Sequence, residues 1–351
     1  MQMTPTPVVS VIMPVYNCET HVAEAVDSIV GQTFRDFEFI IVDDGSTDAS
    51  ARILAEIAQR DQRIRICTQA NAGIGAALNV GCNLASGKYI ARMDGDDIAL
   101  PERFARQVAY LESHPQIGII GARVERIDGR GAPVSGGYSL PSNAIDIRWA
   151  LFFGHPPAPF MHPTVMMRHD LLKEVGYYDA SCYYEDLELW HRLLAITDGQ
   201  NVPDILLRYR IHDGQMAANR GQREGEVFEV IAAWMTKYLG VPVSAAIVEC
   251  LRCEHTDGAD LQVVTNIAEA VLRTFAEREA LGRSEYVLRR RMIASQLVSI
   301  ALRRLPEPSA WKMLWRSLCL DHGVLLRKMI ARIGFRAGHS SAGQHGGLHL
   351  Q

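Results

Sequence analysis

The sequence predicts an α/β protein: a doubly wound, mostly parallel, Rossmann-like sheet followed by a helical carboxyl-terminal extension. Three observations carry this. Apolar, β-branched runs alternate with helical patterns through residues 8–127, which is the signature of βα units and a parallel sheet. Two of the strand-like runs end in acidic turns. From about residue 224 the pattern becomes helical to about residue 333, broken near Pro242 and near Pro306 and Pro308.

The elements follow in order. Residues 8–15 (VVSVIMPV) form a nearly unbroken apolar run, as expected of a strand buried on both faces. Residues 19–30 have helical spacing, with Val22, Ala25, Val26 and Ile29 on one face. Residues 37–42 predict a second buried strand, ending in the turn-rich stretch from Asp43 to Asp48. A helix over 52–60, a short strand over 64–67, a helix over 74–84 and a strand over 89–93 follow. Asp94, Gly95, Asp96 and Asp97 close that strand, and Pro101 opens a helix to about Ser113. A strand is expected over 117–127. The stretch 143–209 is less regular: a Pro-rich loop (HPPAPFMHP), a short strand over 164–167 and a helix from about Glu185. The expected division is 1–220 for a catalytic domain, 221–336 for a helical, basic region and 337–351 for a disordered tail rich in Gly, Ser and His.

Composition narrows the function. Hydrophobic residues at 48% and charged residues at 22% exclude disorder over most of the chain. A net charge of −4 speaks against a nucleic-acid binder. Seven scattered Cys suggest a reducing compartment rather than a disulfide framework. Neither a secretory signal nor a membrane-spanning run is visible, so a cytoplasmic location is expected. Charge is uneven: residues 283–336 hold 12 Lys and Arg against 3 Asp and Glu, whereas the remainder holds 24 against 37.

In a doubly wound sheet, ligands bind beyond the carboxyl ends of the strands. Asp43 and Asp44 fall at one such end, and Asp94, Asp96 and Asp97 at another. Three carboxylates within four residues repel unless protons or a cation neutralise them. Such hard oxygen ligands suit Mg²⁺ or Mn²⁺ shared with a diphosphate. An acidic turn that only caps the next helix is the plainer alternative.

The segments VSVIMPVYN, IIVDDGSTD, ARMDGDD with LPERF, and YYEDLELWHRL with Gly176 before it together resemble the family 2 nucleotide-sugar glycosyltransferases of GT-A fold, over roughly residues 8–215. The resemblance implies the following roles. Pro14, Val15 and Tyr16 lie in the loop beside the nucleotide base. Asp44 accepts from the imide N–H of a uracil, so that a UDP-sugar is expected, with a dTDP-sugar offering the same group; Asp43 either supports it or caps the next helix. Asp94 and Asp96 are the metal-holding pair around Gly95, and Asp97 contacts donor sugar or metal. Asp186, with Glu185 before it, is the catalytic base of an inverting displacement on a saccharide or lipid-linked glycan acceptor, in cell-surface polysaccharide synthesis. His212 is a third metal ligand or a phosphate contact. Arg208 and Arg210 are candidates to neutralise phosphate, and His162 to shape the acceptor pocket. Surface charge and packing are the competing explanations for these last residues.

Two further signals are set aside. Gly73 and Gly75 begin a glycine pattern that Leu78 breaks, so no dinucleotide fingerprint is read there. Cys250, Cys253 and His255 lack a second pair of suitable spacing for zinc. In the basic end, Trp311, Trp315, Leu318, Leu325 and Leu326 share an apolar face rimmed by Arg316, Arg327, Lys328 and Arg332. Such a face fits an anionic membrane surface, on the inner side of the cell membrane, or packing within the fold or a homo-oligomer. The rival functions are a nucleotidyltransferase, disfavoured because VIMPVYNCET lacks a Gly-rich basic phosphate loop, and a catalytically degenerate, transferase-like scaffold.

Overall fold

The computed structural model describes residues 6–325, apart from 138, 154–158, 213–223, 254–258 and 306. The chain separates into two compact units, residues 1–230 and 231–351.

The first unit is built on β1 (Val9–Val15), α1 (Val22–Val30), β2 (Phe37–Asp43), α2 (Ser50–Ala58), β3 (Ile64–Thr68), α3 (Ile74–Leu84), β4 (Tyr89–Arg92), β5 (Ile98–Ala99), α4 (Arg103–Ser113) and β6 (Ile117–Asp128). It continues through α5 (Ala144–Phe153), β7 (Met166–Arg168), α6 (His169–Glu174), α7 (Glu185–Leu193) and β8 (Asp198–Ile211). The strands form one eight-stranded sheet in the order β3-β2-β1-β4-β7-β6-β8-β5. β3, β2, β1 and β4 run parallel, as the alternating pattern requires. β1 lies at their centre and every one of its residues is buried, which explains its lack of polar alternation. α1 covers it with Val22, Ala25, Val26 and Ile29, the face read from the sequence. α3 approaches β1 so closely that a Cβ on Gly81 would sit 2.4 Å from the Ile12 side chain.

The far half of the sheet departs from a simple wound order. β7 enters antiparallel between β4 and β6, and β5 pairs antiparallel with β8. The 14-residue β8 was not anticipated from the sequence. Pro203 interrupts its pattern, and proline cannot donate to a ladder. The structure accommodates it at an irregularity: pairing with β6 passes from Val202 to Ile205 and omits Pro203 and Asp204. α5 lies in the stretch whose pattern is irregular, and the helix expected from Pro101 begins at Arg103.

Register fixes the functional edge. Val15 lies opposite Asp43 and Ile12 opposite Arg92, so the chain after β4 emerges beside the β1–α1 loop. The two acidic turns therefore share one edge of the sheet.

The second unit is helical: the end of α8 (Glu224–Leu239), then α9 (Ala245–Cys253), α10 (Leu261–Arg278), α11 (Arg283–Arg303) and α12 (Pro308–Leu320). Asp260 caps α10 by accepting from the Gln262 and Val263 N–H groups. α10 buries Leu261, Val264, Ala268, Val271, Leu272 and Phe275. No described helix is long and apolar enough to cross a membrane. His255, Leu326, Arg327, Lys328, Arg332 and the tail 337–351 lie outside the described residues.

Candidate active site

The β1–α1 and β2–α2 loops are tied together by short polar side chains. The Asn17 N–H donates to Ser46 Oγ at 3.0 Å, and Asn17 Oδ1 accepts the Thr47 N–H at 2.8 Å. Asn17 sits at φ 51°, a left-handed conformation that Asn tolerates. Pro14 and Val15 are buried, whereas Tyr16 is 48% exposed, so of these three only Tyr16 offers a ring to a ligand. Asp43 accepts the Ser46 N–H at 3.0 Å and so closes its own turn.

Asp44 is buried and heavily used. Its Oδ1 accepts Gln69 Nε2 at 2.7 Å and the Ala72 N–H at 2.9 Å; its Oδ2 accepts the Gly73 N–H at 2.9 Å. A carboxylate offers about four acceptor positions, so one remains on Oδ2 for an imide donor. Gly73, at φ 90°, supplies a backbone conformation that other residues resist. Gln69 was not singled out from the sequence; its role depends on the β3–α3 loop returning to Asp44.

Asp94, Asp96 and Asp97 bring one carboxylate oxygen each to within 4.8 Å of one another. They are the one such metal-capable group among the described residues. Asp97 is fully buried; its Oδ1 accepts the Arg210 N–H at 2.8 Å and its Oδ2 has no hydrogen-bond partner. Burial, together with Asp94 and Asp96, pushes the Asp97 carboxyl well above the usual range. Burial raises Asp94 as well, against the pull of Arg92, with Asp96 and Asp186 adding repulsion. His212 Nε2 lies 3.0 Å from Asp96 Oδ2. Three crowded carboxylates with an orphaned oxygen and an imidazole alongside are a donor set that fits a hard divalent cation. Gly95 packs within van der Waals reach of Val15 and Cys18: a Cβ there would lie 3.4 Å from both side chains.

Arg210 differs from its expected role. Its guanidinium donates to the Asp96 carbonyl at 2.7 Å and to Glu24 at 2.6 Å, so it holds the acidic turn rather than facing a phosphate. Arg208 pairs with Glu125 at 2.9 Å.

Glu185 and Asp186 open α7. Gly176 and Tyr177, at φ 88° and 60°, turn the chain before it, and Arg192 gathers the Val175 and Tyr177 carbonyls back onto the helix. Asn79 clamps the preceding loop, exchanging 2.8 and 2.9 Å hydrogen bonds with the Tyr178 backbone. Glu185 is 6% exposed, and Asp186 is half-buried. Burial, then the neighbouring Asp186, raises the Glu185 carboxyl to about 8. His162 Nδ1 is 3.7 Å from Glu185 Oε1, and its Nε2 meets the Tyr178 hydroxyl at 3.0 Å.

Arg92, unassigned in the sequence reading, links the two halves. It is 3% exposed and forms an ion pair with Asp94, whose charge offsets the cost of burial and keeps the guanidinium charged; Tyr178 and Glu185 lie within electrostatic reach of it. Arg103, also fully buried, donates to the Arg92 carbonyl at 2.6 Å and so fixes the strand end. A cavity of about 400 Å³ lined by Lys88, Arg168, His169 and Lys173 lies at the other end of β4, away from these groups.

The Glu185 shift has a consequence for stability. The folded state keeps this proton up to about 8, against an ordinary 4.5. Below about 4.5 both states are protonated and the effect is absent. Through the window from 4.5 to 8 only the unfolded state ionises, so stability falls as pH rises, by at most about 5 kcal/mol. Glu185→Gln is therefore expected to flatten the pH profile of urea stability between pH 5 and 8. Parallel profiles for variant and parent would show that Glu185 ionises freely in the fold.

Comparison with known proteins bears on these groups. The model of glycosyl transferase family 2 matches residues 10–176. An uncharacterized glycosyltransferase of Haemophilus influenzae is 33% identical over 236 residues, covering 64% of this chain and 72% of the relative. The amylovoran biosynthesis glycosyltransferase AmsE of Erwinia amylovora is 32% identical over 216 residues, covering 60% of this chain and 79% of the relative. Among solved structures, S. aureus TarS 1–349 in complex with UDP-GlcNAc superposes with a TM-score of 0.54 at 19% identity, over 90% of each chain. The mannosyltransferase PcManGT of Pyrobaculum calidifontis, in complex with GDP-Man and Mn²⁺, gives 0.52 at 18%, over 93% of this chain and 89% of that one. The structural likenesses speak for the fold.

Proposed function

The chain belongs to glycosyl transferase family 2, with a GT-A fold, and on that premise we propose that it transfers a sugar, with inversion, from a nucleoside-diphosphate donor to a hydroxyl of a saccharide or lipid-linked glycan. The donor is a UDP-sugar, with a dTDP-sugar as the alternative, and the setting is cell-surface polysaccharide synthesis. Membership in a glycosyltransferase family speaks against the nucleotidyltransferase alternative.

The observation that carries this reading is the convergence of two carboxylate groups across one strand end. Asp186 adds to the repulsion at Asp94, and the buried Arg92 pairs with Asp94 at the end of β4. In this reading Asp94 belongs to the donor side and Asp186 to the acceptor side, the two that a displacement at an anomeric carbon requires.

In this reading the free position on Asp44 Oδ2 accepts the base imide, and Tyr16 lies beside the base. Asp94 and Asp96, with His212 beside Asp96, would hold Mn²⁺ or Mg²⁺; the bound ion supplies charge neutralisation to the departing diphosphate. Asp97, fully buried, holds β8 against the acidic turn through Arg210. Asp186 takes the acceptor proton as the acceptor oxygen bonds to the anomeric carbon and the bond to the diphosphate oxygen breaks. Glu185, protonated at neutral pH, adds no second negative charge beside it. Peripheral attachment to the inner face of the cell membrane belongs to the same reading.

A thermal-shift panel tests the donor assignment. With Mn²⁺ present, UDP and its sugars are expected to raise the melting temperature more than GDP or ADP, since a ligand that binds only the folded state stabilises it. Stabilisation by a purine nucleotide alone would remove the role given to Asp44.

A further inference from the structure

α12 buries Ala310, Met313, Leu314 and Ser317, a stripe at helical spacing. Its opposite side would ordinarily be polar. Instead Trp311 and Trp315, one turn apart, are 58% and 70% exposed. Lys312 between them is exposed too. Exposed tryptophans on one face mark a contact surface rather than an ordinary exterior, and Trp prefers the boundary between apolar chains and water. α11 repeats the chemistry with exposed Leu288, Arg291 and Met292.

Charge selects the occupant. Residues 283–336 hold 12 Lys and Arg against 3 Asp and Glu. Arg304 and Arg316 are spent on Glu307 and Glu269. Lys312 remains, and beyond Asp321, which follows α12 directly, the sequence adds Arg327, Lys328, Arg332 and Arg336 with no further acidic residue through residue 351. A second copy of this face, or the chain's own carboxyl-terminal segment, would bring like charge to like charge. An anionic bilayer complements both the tryptophans and the cations.

We propose that the outward face of α12, with Trp311, Lys312 and Trp315, docks into the headgroup region of an anionic lipid bilayer. This rests on the peripheral attachment proposed above and names the surface responsible. Vesicle binding is read without substrate, so that docking and transfer can fail independently.

The test uses the full chain and flotation with vesicles of phosphatidylcholine alone or mixed with phosphatidylglycerol. Binding to the mixed vesicles at low salt, release at high salt and a blue shift of tryptophan emission on binding are expected. Trp311→Ala/Trp315→Ala is expected to lose both the vesicle-bound fraction and the blue shift while keeping the parent melting temperature and its nucleotide-induced stabilisation. Absence of flotation by the full chain at low salt would overturn the proposal, as would undiminished flotation of the double variant. So would light scattering that shows a dimer lost in the double variant without vesicle binding by the parent, because a second copy would then cover the face.

Discussion

Asp186→Asn is expected to lower the transfer rate by about 10²–10⁴, the range for loss of a positioned general base, while nucleotide-sugar affinity stays within a few-fold of the parent. The separation follows from placement. Asp186 opens α7, the proposed acceptor side, whereas the proposed base contacts come from Asp44 and Tyr16 at the ends of β2 and β1. Asparagine keeps the shape and can still accept the Leu187 N–H that Asp186 Oδ1 accepts at 2.7 Å, so the fold should be preserved. It cannot take a proton from an acceptor hydroxyl. The loss should appear in kcat and kcat/KM for the acceptor together, because the missing interaction belongs to the transition state. Unchanged turnover would move the base elsewhere, with the neighbouring Glu185 and the His162 beside it as the next candidates. A variant that loses nucleotide binding as well would show that the two sides are not independent.

The legible part of this site is the part written in contiguous residues. The acidic turns after β2 and β4 stand out because a buried apolar strand ends abruptly in carboxylates, and parallel topology then puts both on one edge. Asp94, Asp96 and Asp97 indeed gather there. What stayed illegible depends on partners from distant stretches. Arg92 reads as one cation in a strand, and only the fold shows it buried between Asp94 and the loop carrying Tyr178. Arg210 reads as surface charge or a phosphate contact. Its burial becomes visible only once β8 is known to pass beside the acidic turn, and Pro203 hides that strand from pattern reading. Arg316 is similar: α10 turns out to supply Glu269 as its partner. Glu185 and Asp186 are adjacent and chemically alike in sequence, and their division into a buried acid and a half-buried base candidate is a property of the helix face alone.

Asp96→Asn separates a metal-holding role from a structural one, because the two predict opposite signs. Asp94 would be a poor choice for this purpose: removing its charge orphans the buried Arg92, and an unpaired buried cation costs several kcal/mol by itself. Asp96 is only half-buried, and its side chain meets His212 at 3.0 Å, a contact an amide can keep. Its charge raises the carboxyls of both Asp94 and Asp97. Neutralising it relieves that repulsion, so the metal-free variant is expected to melt at or above the parent temperature. The added stabilisation that Mn²⁺ gives in the presence of UDP should disappear in the variant, and transfer should fall by about 10³, since a bound cation contributes several kcal/mol of charge stabilisation. A cluster that served only to cap α4 would give the reverse: a lower melting temperature without metal, and a Mn²⁺ response equal to that of the parent. Melting curves with and without Mn²⁺ and UDP decide between the two before any activity is measured.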